Sequence, residues 1–502
     1  MEKLLFLDND LRQIFSDEDT FSFAKDIDGR VFRKYENRIT KQFEIHDKSY
    51  FIKFHGAVGW REIFKNLIQL KTPVIGAKRE YEALNHLSLN DIPCPPVKAF
   101  GLKGLNPADS SSFLITEELY GTISLEDFFL KGLHRQLSFQ EKKKLITDVA
   151  ILIRKMHNIG LNHRDLYLCH IHIKMEINFD NIEIFLIDLH RAQIRSAVPI
   201  RWMIKDLGGF IHSAMQFNFT ERDCYRFFMI YFQCSLKEIN EEHKGVIKKI
   251  LRRAYKMYLK PELQASSLYS LKKPLEEHNF SKYFENSRAY LIRKDQEQQT
   301  EELLKFIEDE IYLIESGEVI KNEKGHLVVR VKTPNYDFYV KKYRIKNLLH
   351  GFSRLFKSTR ASNAWKATLW FNAVGIKTAK PIFLCEERGI LGAKTSYFVT
   401  ESIRGKRLDK ALTESKENDL IVNSIYAFFK RMDWLDLRHG DAKISNFFID
   451  ESLVAFDLDS ANKIDINSLL INTLSRDKKR ILKSLKGYNE VYLKLSKRFH
   501  RS

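Results

Sequence analysis

Two stretches decide how this chain is read. One is Asn162-His163-Arg164-Asp165, followed by an apolar run closing on Phe185-Leu186-Ile187-Asp188. The other is Arg438-His439-Gly440-Asp441, followed by Ser445-Asn446 and then Ala455-Phe456-Asp457. Each places an Asp on a loop after a helical pattern and a second Asp at the end of a short hydrophobic strand. Phosphoryl transfer from ATP needs that pairing, one carboxylate to accept the hydroxyl proton and another to hold Mg²⁺ on the nucleotide phosphates. Asp165 and Asp441 are therefore the expected bases, and Asp188 and Asp457 the expected metal ligands. The two Asp residues are 23 positions apart in the first stretch and 16 in the second, so the repeat is one of function rather than recent duplication.

Working outward from the first stretch, residues 26–55 read as strands joined by tight turns, and 77–89 as a helix stopped by Pro93, Pro95 and Pro96. Lys53 sits mid-strand between Ile52 and Phe54, a costly place for a charge unless it meets phosphate or a carboxylate. Glu80 on the next helix is the expected carboxylate; snorkelling of Lys53 from an edge strand is the alternative. A His-Arg-Asp tripeptide alone is common by chance. Joined to a strand-borne Lys, a helix-borne Glu and a strand-terminal Asp, it is specific. Helical patterns at 139–158 and 205–260 frame the loop. The second half repeats the order, with strands at 327–331 and 336–341, a helix over 361–374 and a strand at 397–401. There Lys341 matches Lys53, Asn446 is a metal ligand in the form usual for kinases, and Ala364 falls opposite Glu80. The expected fold is α+β: two tandem protein-kinase-like bilobal domains, each a small antiparallel β lobe plus a helical lobe, the second lobe truncated. Expected boundaries are 1–260 and 311–502, with a charged, partly helical connector over 261–310.

Five positions after Asp165, where kinases place a metal-binding Asn, stands His170. Imidazole either takes up that ligand position or supports the loop; oxygen is the better partner for Mg²⁺. Beyond Asp188 come Arg191, Arg195 and Arg201, cations suited to a phosphorylated sugar acceptor because guanidinium binds phosphate or carboxylate in bidentate fashion. Asp206 is expected to brace the catalytic loop, with helix capping as its simpler role. Neither half has a GxGxxG loop.

The long blocks Phe51–Leu67, Pro73–Ala77, Ser112–Leu119, Asn162–His170 and Ile187–Ile194 resemble the lipopolysaccharide core heptose kinases of Gram-negative bacteria, a family that also has His at the position of His170. The resemblance implies ATP-dependent phosphorylation of a heptose hydroxyl in the inner core, at the cytoplasmic face of the inner membrane. Residues 320–460 are similar to the wider lipopolysaccharide kinase superfamily; without a carboxylate opposite Glu80, this half is expected to be weakened, differently arranged, or specific for another acceptor such as a second core sugar. The implied cofactors are ATP and Mg²⁺, and the implied partner is an anionic, lipid-anchored core saccharide.

Bulk properties fit. The 502 residues carry a formal charge of +18, spread over clusters such as Lys142-Lys143-Lys144 and Lys478-Lys479-Arg480. Such a balance favours a polyanionic partner, either an anionic membrane surface or nucleic acid, between which charge alone does not choose; the resemblance implies the anionic inner-membrane surface, with peripheral attachment. No run of 18 apolar residues would span a membrane. The N-terminus turns acidic too early for a signal peptide, and five scattered cysteines without a CxxC pair suit a reducing cytoplasm. A protein kinase shares the catalytic parts and is the alternative enzyme. A basic nucleic-acid-binding protein on a kinase-like scaffold is disfavoured, because no nucleic-acid motif accompanies the charge, and no nucleic acid is expected as partner.

Overall fold

The computed structural model describes residues 2–500 except 13–14, 16–19, 36, 69–75, 105, 107, 176–181, 218, 266–267, 269–278, 286–287, 324, 345–357, 390–391, 415–417 and 462–473. It divides into two units, Met1–Ala254 and Tyr255–Ser502. Both are mixed α/β with antiparallel sheets.

Unit 1 contains a six-stranded antiparallel sheet built from β1 (Glu2–Leu7), β2 (Arg30–Tyr35), β3 (Arg38–Ile45), β4 (Lys48–His55), β5 (Val97–Lys103) and β6 (Ser111–Glu117), in the spatial order β1-β5-β6-β4-β3-β2. His46 and Asp47, both at positive φ, join β3 to β4 in the two-residue turn whose twist matches a hairpin. Alternation along β4 does the positioning. Tyr50 and Ile52 enter a core with Leu11, Phe15, Phe21, Phe113 and Ile115, which leaves Phe51 and Lys53 on a cavity on the other face. Helix Lys78–Ser88 carries Glu80. Below the sheet in sequence, helix Phe139–Asn158 opens with a capping box between Ser138 and Glu141 and leads into the catalytic loop. The pattern over 205–260 is not one helix. It resolves into Ile200–Ala214, Glu221–Phe232 and Lys244–Ala265 with shorter turns between, because Thr220 and Ser235 cap new helices and Gln233 takes a left-handed conformation.

In unit 2 a seven-stranded sheet runs Phe280–Glu285, Arg288–Arg293, Pro381–Gly389, Gly392–Glu401, Asp337–Arg344, His326–Lys332, Glu318–Glu323 in spatial order. The expected connector over 261–310 is therefore corrected. Its strand Arg288–Arg293 pairs with Pro381–Gly389 as β1 pairs with β5, and its helix Thr300–Glu308 buries Leu303, Phe306 and Ile307 in the core. The apolar run Ala289-Tyr290-Leu291-Ile292 pays for ordering a segment that looks polar by composition. Unit 2 also has helices Glu310–Glu315, Arg360–Ala373, Leu408–Glu414, Asn418–Leu435, Leu474–Ser484 and Asn489–His500, and a small four-stranded sheet of Lys377–Thr378, Leu453–Ala455, Phe447–Ile449 and Lys406–Arg407. No helix among the described residues is long and apolar enough to cross a membrane.

Candidate active site

In unit 1 a cavity of about 560 Å³ is lined by Lys53, Glu80, Leu119, His170 and Asp188, among others. The Lys53 ammonium lies 2.6 Å from Glu80 Oε1 and 3.4 Å from Asp188 Oδ1, so three of the expected residues converge on one charge. Desolvation alone would lower the Lys53 pKa, but the charges and hydrogen bonds of Glu80 and Asp188 outweigh it and the net shift is upward. Snorkelling from an edge strand is excluded, since β4 lies between β3 and β6. Burial works to raise the Asp188 carboxyl. The His190 hydrogen bond at 2.7 Å, with Lys53, His190 and His170 as charges, overrides it and holds the group well below the usual carboxylate range.

The catalytic loop is over-determined. Gly160 is at φ +80°, and a Cβ there would lie 1.8 Å from the carbonyl oxygen of Arg195, so only glycine lets the two segments pass. Asp206, fully buried in helix Ile200–Ala214, accepts the backbone N–H of His163 at 2.7 Å and of Arg164 at 2.8 Å. It braces the loop and does not cap the helix, whose N-cap is Pro199. Ser213 Oγ, seven residues on, accepts the N–H of Leu168 at 3.0 Å. Asp165 is met by a cation: Arg191 Nη1 donates to both of its carboxylate oxygens, at 2.8 and 3.0 Å. Arg195 donates to Asn162 and Gln193, and Arg201 packs on Trp202, so neither reaches Asp165 here.

His170 and Asn446 solve one problem with different side chains. His170 Nδ1 lies 2.7 Å from the carbonyl oxygen of Asp165, and Asn446 Nδ2 donates to the carbonyl oxygen of Asp441 at 2.8 Å. The other ring nitrogen of His170, Nε2, lies 3.5 Å from Asp188 Oδ2. Asn446 spends its amide N–H groups on Asp441 and has Oδ1 left for a cation.

Unit 2 repeats the frame. Lys341 is 3.0 Å from Asp457 Oδ1, and its charge and hydrogen bond, with His439 and Arg360, lower the Asp457 carboxyl against burial. Gly440 at φ +82° stands where Arg164 sits at φ 73°. Asp477 accepts the N–H of His439 at 2.9 Å and of Gly440 at 3.2 Å; seven residues later Ser484 accepts that of Ile444 at 3.2 Å. Asp477 and the two serines escaped the sequence reading, although the shared spacing of Asp206 to Ser213 and Asp477 to Ser484 was there to be seen. The expected lack of a counterpart to Glu80 holds: Ala364 is buried in the core, and helix Arg360–Ala373 instead offers Arg360, which donates to Asp459 at 2.9 Å. Asp441 also faces cations, Lys443 at 3.0 Å and Arg480 at 3.6 Å.

The profile of the lipopolysaccharide kinase (Kdo/WaaP) family matches residues 24–231 and again 313–490. The chain belongs to this family. Among curated relatives, the lipopolysaccharide core heptose(I) kinase WaaP of Escherichia coli K12 is 44% identical over 233 residues, 46% of this chain and 87% of that protein. The protein of the same name from Pseudomonas aeruginosa is 37% identical over 256 residues, 51% of this chain and 96% of its own. A solved structure, WaaP in complex with acyl carrier protein, aligns at 32% identity and a TM-score of 0.45, covering 51% of this chain and 99% of that one.

For a Kdo/WaaP family member the question is whether these residues suit Mg²⁺. Among the described residues no cluster of three or more His, Cys, Asp or Glu forms a ready metal cage. Mg²⁺ does not need one, since it binds through one or two carboxylates plus substrate phosphates and water. An ionised Asp188 beside the Nε2 of His170 fits that mode, and in unit 2 Asp457 follows Phe456, whose N–H donates to the Asn446 carbonyl oxygen at 3.2 Å.

Proposed function

We propose that unit 1 transfers the γ-phosphoryl group of ATP to a heptose hydroxyl of the lipopolysaccharide inner core, and that both units are bilobal kinase-like domains. The observation that supports this best is Lys53 held between Glu80 and Asp188 at the edge of the cavity, with Asp165 on the braced loop. ATP enters the cavity with its phosphates towards Lys53, whose ammonium Glu80 keeps aimed at them. Asp188 and His170 would hold Mg²⁺, which when bound neutralises charge on the phosphates. Asp165 accepts the proton of the acceptor hydroxyl as its oxygen bonds to phosphorus and ADP leaves. Unit 2 acts on another core sugar, with Asp441 as base, Lys341 on the phosphates, and Asp457 with Asn446 as ligands. Arg191, Arg195 and Arg201 meet the anionic acceptor. The basic chain works at the cytoplasmic face of the inner membrane, held peripherally on the anionic leaflet. The test is transfer of labelled phosphate from ATP to purified lipid A-core lacking heptose phosphate. Labelled heptose is expected with wild-type protein, and label found only on added proteins would move the assignment to a protein kinase.

A further inference from the structure

Around Trp202, in the first turn of helix Ile200–Ala214, cations crowd together. The charged groups of Lys205, Arg164, Arg195 and Arg201 lie 4.1, 5.0, 5.5 and 5.5 Å from the indole centroid. Arg79, Arg191 and Arg253 add to the local potential: after burial, these neighbouring cations are what lowers the pKa of Arg164 and Lys205. Of the carboxylates nearby, Asp165 favours the charge of Arg164 and is itself paired with Arg191. Asp206 is buried and committed to two backbone N–H groups, and Glu82 pairs with Lys78 at 3.6 Å. Arg195 also lines a recess of about 310 Å³ together with Arg79, Gln193 and one carboxylate, Glu82. So many like charges around one aromatic ring favour a further anion.

Arg191 ties this cluster to the chemistry. While it donates to both oxygens of Asp165, it competes with the acceptor hydroxyl for that carboxylate. Its side chain is 45% exposed, and so open an ion pair is weak enough to exchange for a better anion. We propose that an anionic group of the acceptor, a carboxylate or a phosphate, docks in the Trp202 cluster and draws Arg191 away from Asp165, freeing the base only when an acceptor is bound. This rests on reading unit 1 as the heptose kinase. It makes Arg191 a specificity-determining residue, held on Asp165 until a competing anion arrives.

The test uses the full chain with ATP and Mg²⁺, and three acceptors: native lipid A-core, the same material carboxyl-reduced, and the same material dephosphorylated. Wild-type protein should show a KM about tenfold higher for at least one stripped acceptor, the loss expected for one charge-assisted hydrogen bond. Which one identifies the anion. Arg191→Gln should hydrolyse ATP without acceptor about tenfold faster than wild type, on the same scale of one lost charged contact. The Arg201→Gln/Lys205→Gln double variant should raise the KM for native acceptor and lose its response to stripping. Equal KM values for all three acceptors with wild type would overturn the docking, and wild-type ATP hydrolysis by Arg191→Gln would overturn the release. In both cases transfer to heptose by wild type leaves the reading of unit 1 intact. Failure of wild type to label any of the three acceptors would remove that reading and this inference together.

Discussion

Asp165 and Asp188 belong to one site, yet their surroundings give them different work. Asp188 is held ionised by Lys53 and His190, as suits a metal ligand, whereas the Asp165 carboxylate takes hydrogen bonds from the exposed Arg191. Asp165→Asn should therefore abolish transfer to heptose while ATP still binds, and Asp188→Asn should weaken Mg-ATP binding itself; nucleotide titration beside turnover separates the two. Near-normal turnover by Asp165→Asn would show the base to be another group. A second residue-scale outcome concerns pH. His55 is buried on β4, and burial, then Arg38, Lys53 and His190, push its pKa down from 6.5 to about 3. The unfolded chain takes up that proton near pH 6.5 and the folded chain does not until far lower, so stability falls as pH drops through this window. At pH 5.5 the loss relative to pH 7.5 should be about 1 kcal/mol from this residue alone. His55→Leu should flatten the slope of urea-melt stability by that amount, and an unchanged slope would contradict the assignment. Lys53, Glu80 and both Asp pairs were legible in sequence because each is a charge in a place that penalises charge. The Arg191–Asp165 pair was not, because an exposed Arg on a loop has no pattern to betray its partner.

At the scale of elements, the braced loop makes the sharpest claim. Asp206 satisfies two backbone donors in a fully buried position, and Asp477 does the same in unit 2. Asp206→Ala strands both N–H groups and should cost roughly 2–4 kcal/mol, with faster hydrogen exchange at His163 and Arg164. A loop that stays protected in Asp206→Ala would mean that packing alone holds it. Hairpins such as β3–β4, and helices with a clear cap such as Phe139–Asn158, could be placed from sequence alone. Strand Arg288–Arg293 could not, because four apolar residues lie between charged neighbours and the register that buries them comes from a partner about ninety residues away, in Pro381–Gly389. β1 was missed for the same reason, its partner β5 being distant in sequence.

Across the whole molecule, a charge of +18 and two family matches frame the remaining expectations. Basic side chains near an anionic leaflet contribute about 1 kcal/mol each, and screening cuts this off beyond roughly 8–10 Å, so inner-membrane association should hold at low salt and be released at high salt. Retention after a high-salt wash would point to an attachment other than charge. Each unit keeps the residues proposed as base and principal metal ligand while departing at one supporting position, His170 for Asn in the first and Ala364 opposite Glu80 in the second. That pattern fits two sites working on different acceptor hydroxyls. Glycoform mass spectra of lipid A-core from the native host tell the units apart, comparing wild type with Asp165→Asn and Asp441→Asn. The account predicts that Asp165→Asn loses a heptose phosphate and that Asp441→Asn loses a different phosphate while the heptose one persists. A spectrum of Asp165→Asn identical to wild type in phosphate number and position would contradict it.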